Sequence, residues 1–227
     1  MAKTFTKIGK EITIAVKQGG PDVVGNSRLR ALMAEARSEN MPKDNVEKAI
    51  KRALEKNQGD FKEVVFEGYG PHGIAYLVET ATDNNTRTVA NVRSYFTKCG
   101  GSLGTSGSVS FMFDHKCVFR IKYQEGMDLD ELQLALCECD DDPEVFIEEQ
   151  EDKDENITKN VVIYGAYESY GAIQKYIEDN GYELVSGGFE RIPNVELKDV
   201  TPEQRETLDK LTGLLEDDDD VTNVYST

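Results

Sequence analysis

Up to Leu54 the apolar residues recur every three or four positions; from Val64 onward they come in short runs and alternations broken by turn residues. That change of period, from 3.6 to about 2, constrains the chain more than any other feature. It requires a helical segment followed by sheet-forming segments. In Thr4 to Gln18, the residues Phe5, Ile8, Ile12, Ala15 and Val16 share one face, and Gly19-Gly20 ends the helix. A second helix is expected over Ser27 to Glu39, with Asn26 or Ser27 as its cap and Leu29, Leu32, Met33 and Ala36 inward. A third follows Pro42, which suits a first turn, and its stripe is Val46, Ala49, Ile50, Ala53 and Leu54. These make a small helical bundle.

The sheet-forming part begins with a strand at Val64 to Glu67, a turn at "GYGPHG" and a returning strand at Ile74 to Thr80. Arg87 to Lys98 reads as a helix with Val89, Val92, Tyr95 and Phe96 inward, stopped by Gly100-Gly101. "SVSFMFD" alternates as a strand does. From Cys117 the order is strand, helix (Asp128 to Cys137), strand (Glu144 to Glu149), strand (Asn160 to Tyr164), helix (Ser169 to Asn180), strand (Glu183 to Phe189), the split βαβ plan. The acidic tract "EEQEDKDEN" between its middle strands reads as a solvated hairpin loop. A last helix, Pro202 to Leu215, and a closing strand, Val221 to Tyr225, complete the earlier sheet, which has too few strands without them. The expected fold is α+β. An amino-terminal helical bundle (1–58) precedes a discontinuous α/β middle domain (59–116 and 190–227), into which a ferredoxin-like βαββαβ domain (117–189) is inserted.

Charge is distributed unevenly along this plan. Met1 to Asn57 holds twelve Lys and Arg against seven Asp and Glu, +5 in a chain of formal net charge -17, which leaves -22 for the rest. Such segregation points to a polyanionic partner for the basic part. Lys3, Lys7, Lys10 and Lys17 fall within an arc of roughly 80° opposite the first helix's apolar stripe. Ile14 lies on that ridge and is expected to be a lone exposed apolar residue. Arg28, Arg30 and Arg37 on the second helix and Lys51 and Arg52 on the third extend the candidate phosphate-binding set; Lys48, Lys51 and Arg52 are diluted by Asp44 and Glu55.

A second candidate surface comes from "TDNNTRTVANVR" and "KCGGSLGTSGSV" on either side of one helix. Thr82, Asp83, Asn84, Asn85, Thr86 and Arg87 offer side-chain donors, with Arg87 at the open amino end of the helix. Lys98, Gly101, Ser102, Gly104, Thr105 and Gly107 offer hydroxyls and backbone N–H groups that can approach a partner closely. Few of these side chains can grip a base edge with two hydrogen bonds, so weak sequence specificity is expected.

Other chemistry finds little support. His72 and His115 are the only histidines, and neither sits in a nucleophile motif; no catalytic residue is assigned. Cys99, Cys117, Cys137 and Cys139 form no CxxC pair and read as buried thiols, so no metal site is assigned either. The glycine series lacks the Lys-Ser/Thr of a nucleotide-binding loop, and no cofactor is expected. No apolar run approaches the length that spans a bilayer, and the amino terminus lacks a secretory pattern, so a cytoplasmic protein without a membrane partner is expected.

The blocks "FTKIGKEITIAVKQGG", "RLRALMAEARSENMPKDNVEKAIKRA", "EGYGPHGIA", "TDNNTRTVANVRSYFTKCGGSLGTSGSV" and "LLEDDDDVTNVY" together resemble the YebC/PmpR family over nearly the whole chain. The resemblance implies a helical domain and two α/β domains, and a cytoplasmic, non-enzymatic DNA-binding transcriptional regulator. The alternative it implies is a translation factor whose partner is the ribosome and its RNA. A third reading, from composition, is an acidic module that binds a basic protein. Relatives usually begin with a further basic segment containing a Gly-His-Ser-Lys-Trp run, and this chain starts after it and has no Trp. DNA or ribosomal RNA as target, and the oligomeric state, stay open at this point.

Overall fold

The computed structural model describes residues 2–55, 61–151 and 157–227. In chain order they form α1 (Ala2–Gly19), α2 (Ser27–Ser38), α3 (Lys43–Leu54), β1 (Lys62–Tyr69), β2 (Ala75–Thr82), α4 (Asn85–Lys98), β3 (Ser102–Leu103), β4 (Phe113–Lys122), α5 (Leu129–Leu136), β5 (Glu144–Glu151), β6 (Ile157–Ala166), α6 (Tyr170–Asp179), β7 (Leu184–Pro193), α7 (Pro202–Glu216) and β8 (Val221–Ser226). The α+β class expected from the sequence is what is found. The helix starts follow local chemistry. Asn26 caps α2 through Leu29 N–H, Asn84 caps α4 through Arg87 N–H, and Thr201 with Gln204 makes a capping box ahead of α7.

The chain forms two compact units. The first comprises Met1–Gln18, Lys43–Asp114 and Arg191–Thr227, and the second comprises Gly19–Pro42 and His115–Glu190. The three amino-terminal helices therefore belong to both: α1 and α3 to the first unit, α2 to the second.

In the first unit an antiparallel sheet has the order β3-β1-β2-β8, with Lys62 opposite Thr82 and Tyr69 opposite Ala75. Its core holds Phe66, Tyr76 and Val78 from the sheet, Val92 and Phe96 from α4, and Leu208, Leu211 and Leu215 from α7. Tyr76 and Phe96 meet edge to face at 5.9 Å. Complete burial of side chains such as Val92 and Phe96 stabilises the layer by about 2 kcal/mol each. A smaller cluster, Ala75, Leu77, Val109 and Phe113, brings in the segment after β3.

The second unit's sheet has the order β5-β6-β4-β7, the ferredoxin-like arrangement. Its core joins Phe119, Ile121, Val161 and Ile163 to Leu132 and Leu136 of α5 and to Ile173 and Ile177 of α6. Ala31 of α2 packs into the same core, and Arg30 of α2 pairs with Glu178 at 2.6 Å.

Four local expectations change. Ile14 is 4% exposed rather than solvated, because α1 is buried on more than its apolar stripe: Thr13 is buried too, its hydroxyl within reach of Ala49 O at 3.2 Å. "SVSFMFD" is not one strand; Ser110–Met112 is a 3-10 turn, and β4 starts at Phe113. Cys99 and Cys117 are buried thiols as read, but Cys137 is exposed. Of the acidic tract, Glu148 to Glu151 lie in β5, and 152–156 fall outside the described residues.

Candidate nucleic-acid interface

The lysine ridge of α1 meets an acidic run on its own unit. Lys3 Nζ lies 2.7 Å from Asp217, and Lys7 Nζ donates to Glu216 O at 3.0 Å. Lys10 goes deepest, with its side chain 10% exposed. It donates to Asp220 Oδ1 at 2.8 Å, Asp219 O at 2.7 Å and Ala81 O at 3.1 Å. Asp218 completes the run by accepting from Asn91 Nδ2 at 3.0 Å and Tyr95 Oη at 2.9 Å. Burial and that carboxylate push the Tyr95 phenol up to about 12. The tract "EDDDD" therefore ties α1 and α4 to the segment between α7 and β8.

The block from Thr82 to Arg87 converges on the same point. Asp220 Oδ2 takes Arg87 Nη2 at 2.6 Å and Nε at 3.2 Å, and the hydroxyls of Thr88 and Thr82 lie 2.9 and 3.2 Å away. Arg87 also bonds Asp83 at 3.0 Å. Thr82 is buried, Asn84 is spent on the helix cap, and Asp83, Asn85 and Thr86 remain on the surface.

The two halves of the second candidate surface lie at opposite ends of α4, about 20 Å apart at 1.5 Å per residue. At the far end the glycine loop wraps a carboxylate of its own. Glu67, 5% exposed, accepts from Gly107 N at 2.7 Å and from Val109 N and Ser110 N at 2.8 Å. Burial disfavours that charge, but the three N–H donors outweigh it and hold the Glu67 carboxyl below the ordinary glutamate range. Backbone groups that could have cradled a phosphate are thus filled from within. Two glycines allow the loop to sit there: a Cβ on Gly101 would lie 2.5 Å from Tyr69 O, and one on Gly68 would lie 2.6 Å from Ser102 O. Ser102, Gly104, Thr105, Gly107 and Lys98 are exposed, and Gly101 is half-buried.

The remaining basic residues divide in the same way. Arg30 is held by Glu178 and by Val23 O and Val24 O, both at 2.8 Å. Arg52 lies over the Phe61 ring at 4.4 Å, with Lys10 5.3 Å from the same ring. Arg28 is half-buried, whereas Lys17, Arg37 and Lys51 are exposed. Sequence reasoning missed Glu67 and Asp220 as organising groups. For Asp220 a signal existed, since three lysines spaced along one helix face oppose an uninterrupted acidic run; for the isolated Glu67 there was none.

Comparison with known proteins bears on both parts of the chain. Residues 1–56 match the TACO1/YebC protein N-terminal domain, and residues 61–227 match the TACO1/YebC second and third domain. The chain belongs to the TACO1/YebC family. Among TACO1/YebC relatives, a protein of Parabacteroides distasonis named "Probable transcriptional regulatory protein" is 59% identical over 225 residues, covering 99% of this chain and 88% of that protein. One of the same name from Flavobacterium johnsoniae is 54% identical, covering 100% and 91%. A crystal structure of a conserved hypothetical protein from Aquifex aeolicus superposes with a TM-score of 0.79 at 32% identity, covering 99% of this chain and 88% of that one. Among the described residues no helix is long and apolar enough to cross a membrane.

Proposed function

We propose that this chain is a non-enzymatic, cytoplasmic regulator of gene expression that binds DNA mainly through its phosphates. The observation that carries the reading is the family match over both parts of the chain, with relatives named as probable transcriptional regulatory proteins. The geometry narrows which cations serve. Lys10 and Arg30 are committed to internal acceptors, so exposed residues such as Arg37 and Lys51 supply the phosphate contacts. Contacts of that kind position a protein on nucleic acid without reading its bases.

The test is fluorescence anisotropy with a DNA duplex across a salt series, for the parent and for Arg37→Glu and Lys51→Glu singly. The parent's affinity falls steeply with salt, and each variant lowers both affinity and the slope of log K against log salt, the slope by about one. Unchanged slopes in variants that melt normally would remove these residues from the interface. A parent that ignores DNA but co-sediments with ribosomes would replace DNA with ribosomal RNA as the target.

A further inference from the structure

The chain after Phe61 is strongly acidic, yet it is interrupted by runs that carry no carboxylate, among them Gly68 to Val78 and the longest, Asn84 to Phe113. The second holds Arg87, Arg93 and Lys98. The fold brings parts of these two runs together at the β3 end of the first sheet, where Gly101 lies against Tyr69 and Gly70, and Ser102 pairs with Tyr69. The result is a neutral-to-basic patch in the otherwise strongly acidic part of the chain after Phe61.

Phe111 stands out on that patch, 68% exposed at the tip of the 3-10 turn. Its exposure is built rather than loose. On one side Ser110 N–H is held by Glu67 at 2.8 Å. On the other, Asn194 Nδ2 donates to Phe111 O at 3.3 Å and Asn194 N donates to Met112 O at 3.0 Å. The backbone is thus pinned before and after a ring that faces solvent. A second exposed aromatic, Tyr69, reaches the same loop through its hydroxyl, which donates to Ser108 O at 3.3 Å. The loop that leads from α4 to Phe111 exposes Ser102, Thr105 and Ser106, Lys98 closes α4 just before it, and Lys198 is bonded to Gly73 O at 3.1 Å. The nearest carboxylate in sequence, Asp114, accepts from Asn194 Nδ2 at 2.8 Å.

We infer that this patch binds an unpaired nucleic-acid strand, with bases stacking on Phe111 and Tyr69 and the hydroxyls meeting sugar and phosphate. Aromatic faces accept any unpaired base, and hydroxyls beside a few cations follow a backbone without reading sequence. A duplex keeps its bases stacked on each other and gains nothing from such rings. The inference rests on the nucleic-acid reading above and adds to it the strandedness of the target at this surface.

Phe111→Ala tests it, because the side chain is mostly in water and its loss leaves the pinned turn intact. Anisotropy is read with labelled oligouridylate and oligothymidylate of about twelve nucleotides and with a DNA duplex of equal length. The expected result is a loss of about tenfold in affinity for the single strands, within the range for one lost base stack, with duplex affinity unchanged. The two single strands tell RNA from DNA as the source of the same stacking. Single-strand affinity within twofold of the parent, or an equal loss on duplex, overturns the inference while leaving the phosphate-binding reading in place. A parent that binds no nucleic acid overturns both. The chain contains no Trp, so Phe111→Trp adds a sole reporter: its fluorescence is quenched by the oligonucleotides if bases stack there. Binding without quenching also overturns the inference.

Discussion

Replacing Asp220 by Asn tests whether the acidic run fastens α1 to its unit. The carboxylate is 4% exposed and receives Lys10 on one oxygen and Arg87, Thr88 and Thr82 on the other. Burial on its own would raise its pKa; the hydrogen bonds from Lys10, Arg87 and Thr88 outweigh burial and hold it at about 2. Against about 3.9 in an unfolded chain, that difference is worth about 2.6 kcal/mol. Because the folded value is the lower one, this stability is fully present above about pH 4 and is lost as the pH falls through 4 toward 2. Asparagine removes the charge and turns an NH2 group toward donors on one side or the other, leaving Lys10 without its counter-charge. We expect Asp220→Asn to cost roughly 3 kcal/mol at pH 7, consistent with breaking a buried pair, and to lower Tm by roughly 6–12 °C. Urea titrations followed by circular dichroism at pH 7 and pH 3 measure this, and the parent's advantage should shrink by about 1.3 kcal/mol at the lower pH. A cost below about 1 kcal/mol, or a gap that ignores pH, would refute the assignment of Asp220 as the fastening.

Two other substitutions probe the ends of α4. Glu67→Gln gives three N–H donors a single neutral oxygen, so amide exchange at Gly107, Val109 and Ser110 should speed up while the core of β1 and β2 stays protected; the parent's loop should loosen likewise as acid protonates Glu67, whose folded pKa lies below the ordinary range. Unaltered exchange in the variant would show that the loop stands without its carboxylate. Arg87→Ala should lower the melting temperature through loss of the Asp220 and Asp83 contacts while leaving nucleic-acid affinity within about twofold, well inside one base contact; normal melting with lost binding would return Arg87 to the interface.

Much of the fold was legible because most elements bury a single face. The stripe Ile8, Ile12, Ala15 and Val16 marks α1, and Val92 and Phe96 mark α4. What failed was partnership at long range. Ile14 looked exposed because a helix wheel shows one apolar face and cannot show that a second face is also covered. The alternation of "SVSFMFD" ran straight through a turn whose geometry is set by Glu67 and Asn194, neither of them adjacent in sequence. The lysine ridge was read correctly as a ridge, but its ion-pair partners lie more than 200 residues away. Spacing along one helix places charges on a face; it does not say which of them the protein itself consumes.

The interleaving of the two units sets an order of assembly. Everything in the second unit has been synthesised once Glu190 is made, and its sheet and helices can close then. The first unit cannot, since β8 pairs with β2 and Lys10 of α1 takes its carboxylate from Asp220. During vectorial synthesis, in which earlier segments ordinarily fold first, α1 is made at the outset and waits for nearly the whole chain before its buried ammonium meets its counter-charge. A translation product stopped before Asp220 would leave the first helix without its ion-pair partner although every segment of the second unit had been made, a distinct target for quality-control proteases.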